Sequence, residues 1–142
     1  MKKVIALLAV ALLVPSVALA KGNPGTHGGK GKGHAPKVTY VLKGTLSGYT
    51  AYDASSSTNG SITIAVSRAN YHGKALKGQT LTFPVDGKTK ITLDKGVTAI
   101  SDGDRGIVKV RAAKKIAAAD LASTLQASSA SHVIDQGAPS SH

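Results

Sequence analysis

The chain predicts a mainly β protein: a small antiparallel β-barrel or curled sheet of five to six strands, with one late α-helix over about residues 113–126. A two-layer β-sandwich is the alternative arrangement. Three observations predict this class. Several short stretches alternate apolar and polar residues with period two, the pattern of a strand with one buried face. Glycine-rich polar segments separate them, as turns separate strands in small all-β domains. The acids are all Asp, and the absence of Glu, a better helix former, suits a β-rich chain.

The first alternation begins at Lys37. Val38, Tyr40, Leu42 and Leu46 hold one phase, and Thr39, Lys43 and Thr45 the other. Gly44 and Gly48 fall on the apolar phase, where they mark a sharp bend of the kind a small barrel needs. Residues 53–60, DASSSTNG, read as a polar loop. Asn59-Gly60-Ser61 also fits a glycosylation sequon, but the short Lys-rich start looks bacterial, so it reads as a turn. Ser61–Arg68 resumes the alternation with Ile62, Ile64 and Val66 in phase. Residues 69–79 read as a crossing loop.

Thr80–Val85 and Lys88–Leu93 read as the third and fourth strands around an Asp86-Gly87 turn. Placing Leu81, Phe83 and Ile91 on one face requires a three-residue loop with Gly87 in the left-handed region. Pro84 has no N–H to donate, so one side of the third strand is expected to be an unpaired edge. Val97–Ile100 is a short apolar stretch and residues 101–106 form a turn. Ile107–Ala112 is the fifth strand, with Val108 and Val110 on one side and Lys109 and Arg111 on the other. Residues 113–126 are Ala-rich and lack Gly and Pro, with Ile116, Ala117, Leu121 and Leu125 as an apolar stripe. Lys114 and Lys115 stand at the end of that helix where its dipole disfavours cations. Val133-Ile134 reads as a last short strand, and residues 137–142 as a loose tail.

Residues 1–20 read as a secretory signal peptide. Lys2 and Lys3 supply the positive start, residues 4–14 are apolar, Pro15-Ser16 breaks the run, and Ala18-Leu19-Ala20 gives the small-residue cleavage pattern. The run is shorter than the roughly 20 residues that span a bilayer, and no second long apolar run follows. The expectation is cleavage after Ala20, no transmembrane segment thereafter, and a secreted, periplasmic or cell-surface location. Residues 21–36, KGNPGTHGGKGKGHAP, contain no large apolar side chain and read as a flexible basic tether carrying Lys21, Lys30 and Lys32. Residues 37–136 then form a single β-rich domain.

The chain has no Cys, which excludes disulfides, thiol catalysis and thiolate metal sites. Its net charge of +11 falls by two with the leader and stays strongly positive. For an exported protein this points to anionic surface polymer or polysaccharide as partner, and export argues against nucleic acid. High charge also serves solubility alone.

Tyr40–Ala112 resembles small exported bacterial domains of unknown function with an OB-like β-barrel. The matching stretches are Leu42-Lys43-Gly44-Thr45-Leu46, Ser61-Ile62-Thr63-Ile64-Ala65-Val66, Phe83 to Ile91, and Gly103 to Val110. The resemblance implies a periplasmic or surface location and no catalytic residues.

Lys88 and Lys90, then Lys109 and Arg111, alternate with apolar neighbours, so each pair shares an outer strand face. If those strands adjoin, they form a basic stripe, and Tyr49 and Tyr71 are candidate stacking partners, as in oligomer-binding barrels. The competing reading is a solvated sheet face with core tyrosines. His27 and His34 lack the fixed geometry of a metal site. Asp102-Gly103-Asp104 has the look of a calcium-loop fragment but no closing Glu, so a turn is expected. No nucleophile elbow or phosphate loop occurs, so neither a catalytic residue nor a cofactor is assigned. The expected function is a non-catalytic, envelope-associated binding module. The alternatives are an enzyme accessory or hydrolase with a cleft near Tyr71 and His72, in which His72 would meet Asp104 or another carboxylate, and a structural surface protein with an exposed edge near Pro84.

Overall fold

The computed structural model describes residues 35–139. The leader and the tether lysines Lys21, Lys30 and Lys32 lie outside the described residues. Six strands form one open sheet: β1 (Lys37–Thr50), β2 (Gly60–Ala69), β3 (Thr80–Val85), β4 (Lys90–Thr92), β5 (Arg105–Ala113) and β6 (Ala130–Asp135). Their order in space is β3-β2-β1-β5-β6-β4. A single sheet selects the curled-sheet arrangement over the sandwich. All pairs are antiparallel except β4 with β6, which run parallel, so the sheet is mixed.

The alternation read from sequence sets the buried face. Tyr40, Leu42, Leu46, Ile62, Ile64, Phe83, Val108, Val110 and Val133 are each at most 1 % exposed. The Tyr40 hydroxyl donates to the Ala113 carbonyl at 2.8 Å, so the ring is buried without a lost hydrogen bond. β1 is long enough to pair on both sides, with β2 and β5, and it bends at an irregularity in the pairing between Ser47 and Thr50. There Gly48 takes φ +57, the left-handed conformation in which a strand admits an extra residue, and its N–H is held by Asp102 Oδ1 at 2.8 Å.

The expected β3–β4 hairpin does not form, because these strands occupy opposite edges of the sheet. β3 is already satisfied by β2, where Ile62 meets Phe83 and Ile64 meets Leu81. Ile91 pairs instead with Val133 of β6. The turn exists all the same. Thr89 N–H donates to the Asp86 carbonyl at 3.0 Å, and Lys88 N–H to Asp86 Oδ1 at 2.9 Å. Gly87 is not left-handed. Its missing side chain matters for another reason: a Cβ would stand 3.1 Å from the Tyr52 ring. Lys88 belongs to this turn rather than to β4.

Only the residues between Val85 and Lys90 join the two edges. Those five Cα steps reach at most roughly 18 Å, whereas a flat six-strand sheet holds its edges roughly 24 Å apart. The sheet must therefore coil toward closure. Thr89 fastens the connection by donating from Oγ1 to the Ala130 carbonyl at the start of β6, at 2.6 Å.

The late helix is shorter than expected. α1 covers Leu121–Gln126 only, because pairing with Lys37 draws Ala113 into β5 and leaves Lys114 and Lys115 at the exit of a strand. Leu121 and Leu125 are buried. Gln126 Oε1 accepts the Thr82 N–H of β3 at 3.2 Å. β3 is thus an edge strand, as Pro84 predicts. Thr82 and Pro84 share one backbone phase, so the helix answers the one N–H and proline supplies none. The helix thus meets this edge at Thr82. A 3-10 helix, Tyr71–Leu76, occupies the expected crossing loop. Gly137, placed in the loose tail by sequence, is buried: its N–H bonds Asp135 Oδ1 at 2.8 Å and its carbonyl accepts from Arg105 N–H at 2.9 Å. Among the described residues, no helix is long and apolar enough to cross a membrane.

Candidate anion-binding face

The outer face of the sheet collects the side chains of the polar phase. Register places Lys90 of β4 opposite His132 of β6, and His132 opposite Lys109 of β5. Partners across a sheet share a face, so Lys90, His132 and Lys109 form one row with neighbours roughly 4.8 Å apart along the backbone. Arg111 follows Lys109 two residues on, on the same face of β5. Lys43 of β1 pairs with Ile107 of β5 and Arg68 of β2, which extends the charge across the sheet. Half-buried Val41, Ile107 and Ile134 lie between these cations. The strands carry one acid, Asp135, and it is buried opposite Gly106 on the inner side.

The expected stripe of Lys88, Lys90, Lys109 and Arg111 is therefore assembled in part. β4 and β5 do not adjoin, yet β6 bridges them and brings Lys90 and Lys109 into one row. Lys88 is exposed in the turn before β4. Sequence reasoning did not place His132, Lys43 and Arg68 in the group. Lys43 was legible as a polar-phase residue; His132 needed the pairing of β6.

His132 reports the field of the face. Its imidazole is held below the ordinary histidine range, first by partial burial and then by the charges of Lys109 and Lys90. Nε2 lies 2.9 Å from Thr92 Oγ1.

The tyrosines do not join this face. Tyr40 is in the core. Tyr49 and Tyr52 are half-buried against it. Tyr71 is 88 % exposed, but it sits on the 3-10 helix, which packs on the inner side through Gly73 beside Leu42 and through buried Leu76. The structure thus separates the stacking candidates Tyr49 and Tyr71 from the lysine row.

His72 meets the rings of Tyr40 and Tyr71 edge-on, at centroid distances of 6.0 and 5.6 Å. A groove of about 550 Å³ runs beside it, lined by Tyr71, His72, Lys74, Ala75, Ile116, Ala118 and Leu121, with no carboxylate. Asp104 lies level with Leu46, whose N–H bonds its carbonyl at 2.7 Å. Leu46 is six positions along β1 from Tyr40, on the order of 20 Å. The expected meeting of His72 with Asp104 does not occur.

Asp102-Gly103-Asp104 is a turn. Gly103 takes φ +96, Asp102 binds Gly48 N–H, and Asp104 Oδ2 accepts Ser101 N–H at 2.9 Å. Among the described residues, no three His, Cys, Asp or Glu side chains group as a metal site. No protein-family model, curated protein or solved structure matches this chain.

Proposed function

We propose that the protein is an exported, non-catalytic binding module whose outer sheet face contacts an anionic surface polymer or polysaccharide. One observation carries this reading. Lys43, Arg68, Lys90, Lys109 and Arg111 share a sheet face on which the strands place no carboxylate. Cations without nearby acids are left to pair with an external anion, and a polymer engages several at once. The leader supplies the route to the envelope, and Lys21, Lys30 and Lys32 add charge N-terminal to the domain. The OB-like resemblance agrees with a role in holding oligomers.

Retention on an immobilised anionic polysaccharide, measured across a salt gradient, tests the reading. Contacts between exposed charges weaken as salt screens them. The purified protein should elute at higher salt than the K90Q/K109Q/R111Q variant. Equal elution of the two would remove the face as the site.

A further inference from the structure

We infer that a polyanion bound across the row Lys90–His132–Lys109 draws a proton onto His132, so that this face holds its ligand more tightly in mild acid than at neutral pH. The inference rests on the anion-binding reading of the face.

The geometry makes His132 the one titrating member of the row. Lys109 faces it from β5 and Lys90 from β4, with Arg111 one step further along β5 and Lys88 just before β4. Between about pH 5 and 8 histidine alone among unperturbed side chains changes state. Among the described residues, the strands place no carboxylate on the face of these cations, and Asp94 follows β4 two residues beyond Thr92. Asp135 is buried on the inner side. Asp86, in the turn before β4, already accepts from Ser129, from Lys88 N–H and from Thr89 N–H.

In the free protein partial burial first, and then the charges of Lys109 and Lys90, disfavour a positive charge on the imidazole and keep it neutral near pH 7. An anion lying on the row reverses that balance, because it meets the lysines and rewards a further cation between them. Thr92 permits both states. Its hydroxyl donates to a neutral Nε2 and accepts from a protonated one, so neither form leaves the 2.9 Å contact unpaired. Binding and protonation are then linked, and each unit by which a ligand raises the His132 pKa corresponds to about tenfold in affinity at acid pH.

Heparin is a suitable probe, since its sulfates do not titrate in this range. Its Kd for the purified protein is measured at about pH 7.5 and about pH 5.5 at fixed ionic strength. Wild type should tighten by about tenfold. H132Q, which retains a group able to bond Thr92, should lose most of that gain. His27, His34, His72 and His142 are present in both proteins, so the difference isolates His132. An equal gain in H132Q overturns the inference. K90Q/K109Q separates the two claims. If it binds as wild type does at neutral pH, the face is not the site and both claims fall. If it binds more weakly while H132Q keeps the full gain, only the proton linkage falls. A measurement on the unsubstituted protein guards against misfolded variants: the NMR titration midpoint of the His132 ring protons should rise when heparin is added, and a fixed midpoint refutes the linkage.

Discussion

Gly44 and Gly106 are register partners on the two central strands, and neither position has room for a methyl group. A Cβ on Gly44 would overlap the Ala65 carbonyl oxygen of β2. One on Gly106 would overlap the Leu46 side chain and stand 2.8 Å from the Ile134 carbonyl oxygen. Glycine at both positions lets the β2 backbone and the Leu46 side chain approach the central strands this closely.

Alanine at either position should therefore cost more than an ordinary small-to-large change. Gly44→Ala meets rigid backbone, and about 3 kcal/mol is expected, the upper part of the usual overpacking range. Gly106→Ala meets mainly a leucine side chain that can rotate, so it should cost less. Urea unfolding of both variants checks the ranking. If Gly44→Ala were the milder of the two, the approach of the Ala65 carbonyl to Gly44 would not be the tighter contact.

Thr89 is the fastening between the sheet edges. Its hydroxyl donates to Ala130 and receives the Asp86 N–H at 3.0 Å. Thr89→Val keeps the shape and removes both bonds, leaving two polar backbone groups short of a partner. A loss of about 1–3 kcal/mol is expected. Hydrogen exchange should show the Asp86 amide opening faster than in wild type, and an unchanged exchange rate there would refute this role.

These two sites also show where the sequence was legible and where it was not. Alternation is local: Val38 to Leu46, Ile62 to Val66 and Val108 to Val110 carry the buried face in their own order, and the strands formed there. Pro84 named an edge because a missing N–H is likewise local. The Asp86-Gly87 turn was also read correctly as a turn. The error lay in pairing the strands on either side of it. Partner choice was decided by distant residues: Ile62 and Ile64 took up β3, and Val133 took up Ile91. Propensity alone suggested fourteen helical residues after β5, while pairing with Lys37 drew Ala113 into the sheet and only Leu121–Gln126 closed into a helix. The candidate site followed the same rule. Lys109 and Arg111 were visible as one strand face, but His132 joined Lys90 only through a parallel pairing that no local pattern announces.

Acid should loosen the 53–58 loop late. Asp53 accepts from the Ser55 hydroxyl at 2.6 Å, the Ser56 hydroxyl at 2.8 Å and the Ser55 N–H at 2.9 Å. The side-chain bonds from Ser55 and Ser56 lead in holding its carboxyl down at about 2. A depressed carboxyl favours the folded loop above its unfolded value of 3.8, and that support is lost as pH falls through about 2. His132 acts in the same direction, at higher pH. Its protonation is disfavoured in the fold, so its share of stability is lost as pH falls below 6.5 toward its lower folded value. NMR titration of the Asp53 carboxyl should give a midpoint near 2 in wild type, moving toward the ordinary range in Ser55→Ala. A midpoint that ignores Ser55→Ala would sink this account.

Tyr71 and Lys109 provide the sharpest contrast between exposure and location. Among the described residues Tyr71 is the exposed large apolar side chain, at 88 %, and by composition alone it is the natural stacking partner for a sugar or a base. It belongs, however, to the helix on the inner side, away from the row that includes Lys109. Tyr71→Ser should change stability by no more than about 0.5 kcal/mol, as surface substitutions do, and should leave elution from an anionic polysaccharide unchanged. Lys109→Gln should be as stable and elute at lower salt. The two variants share one chromatography experiment and one melting curve. If Tyr71→Ser weakened retention while Lys109→Gln did not, binding would belong to the groove beside His72, and the cationic face would be a solvated surface.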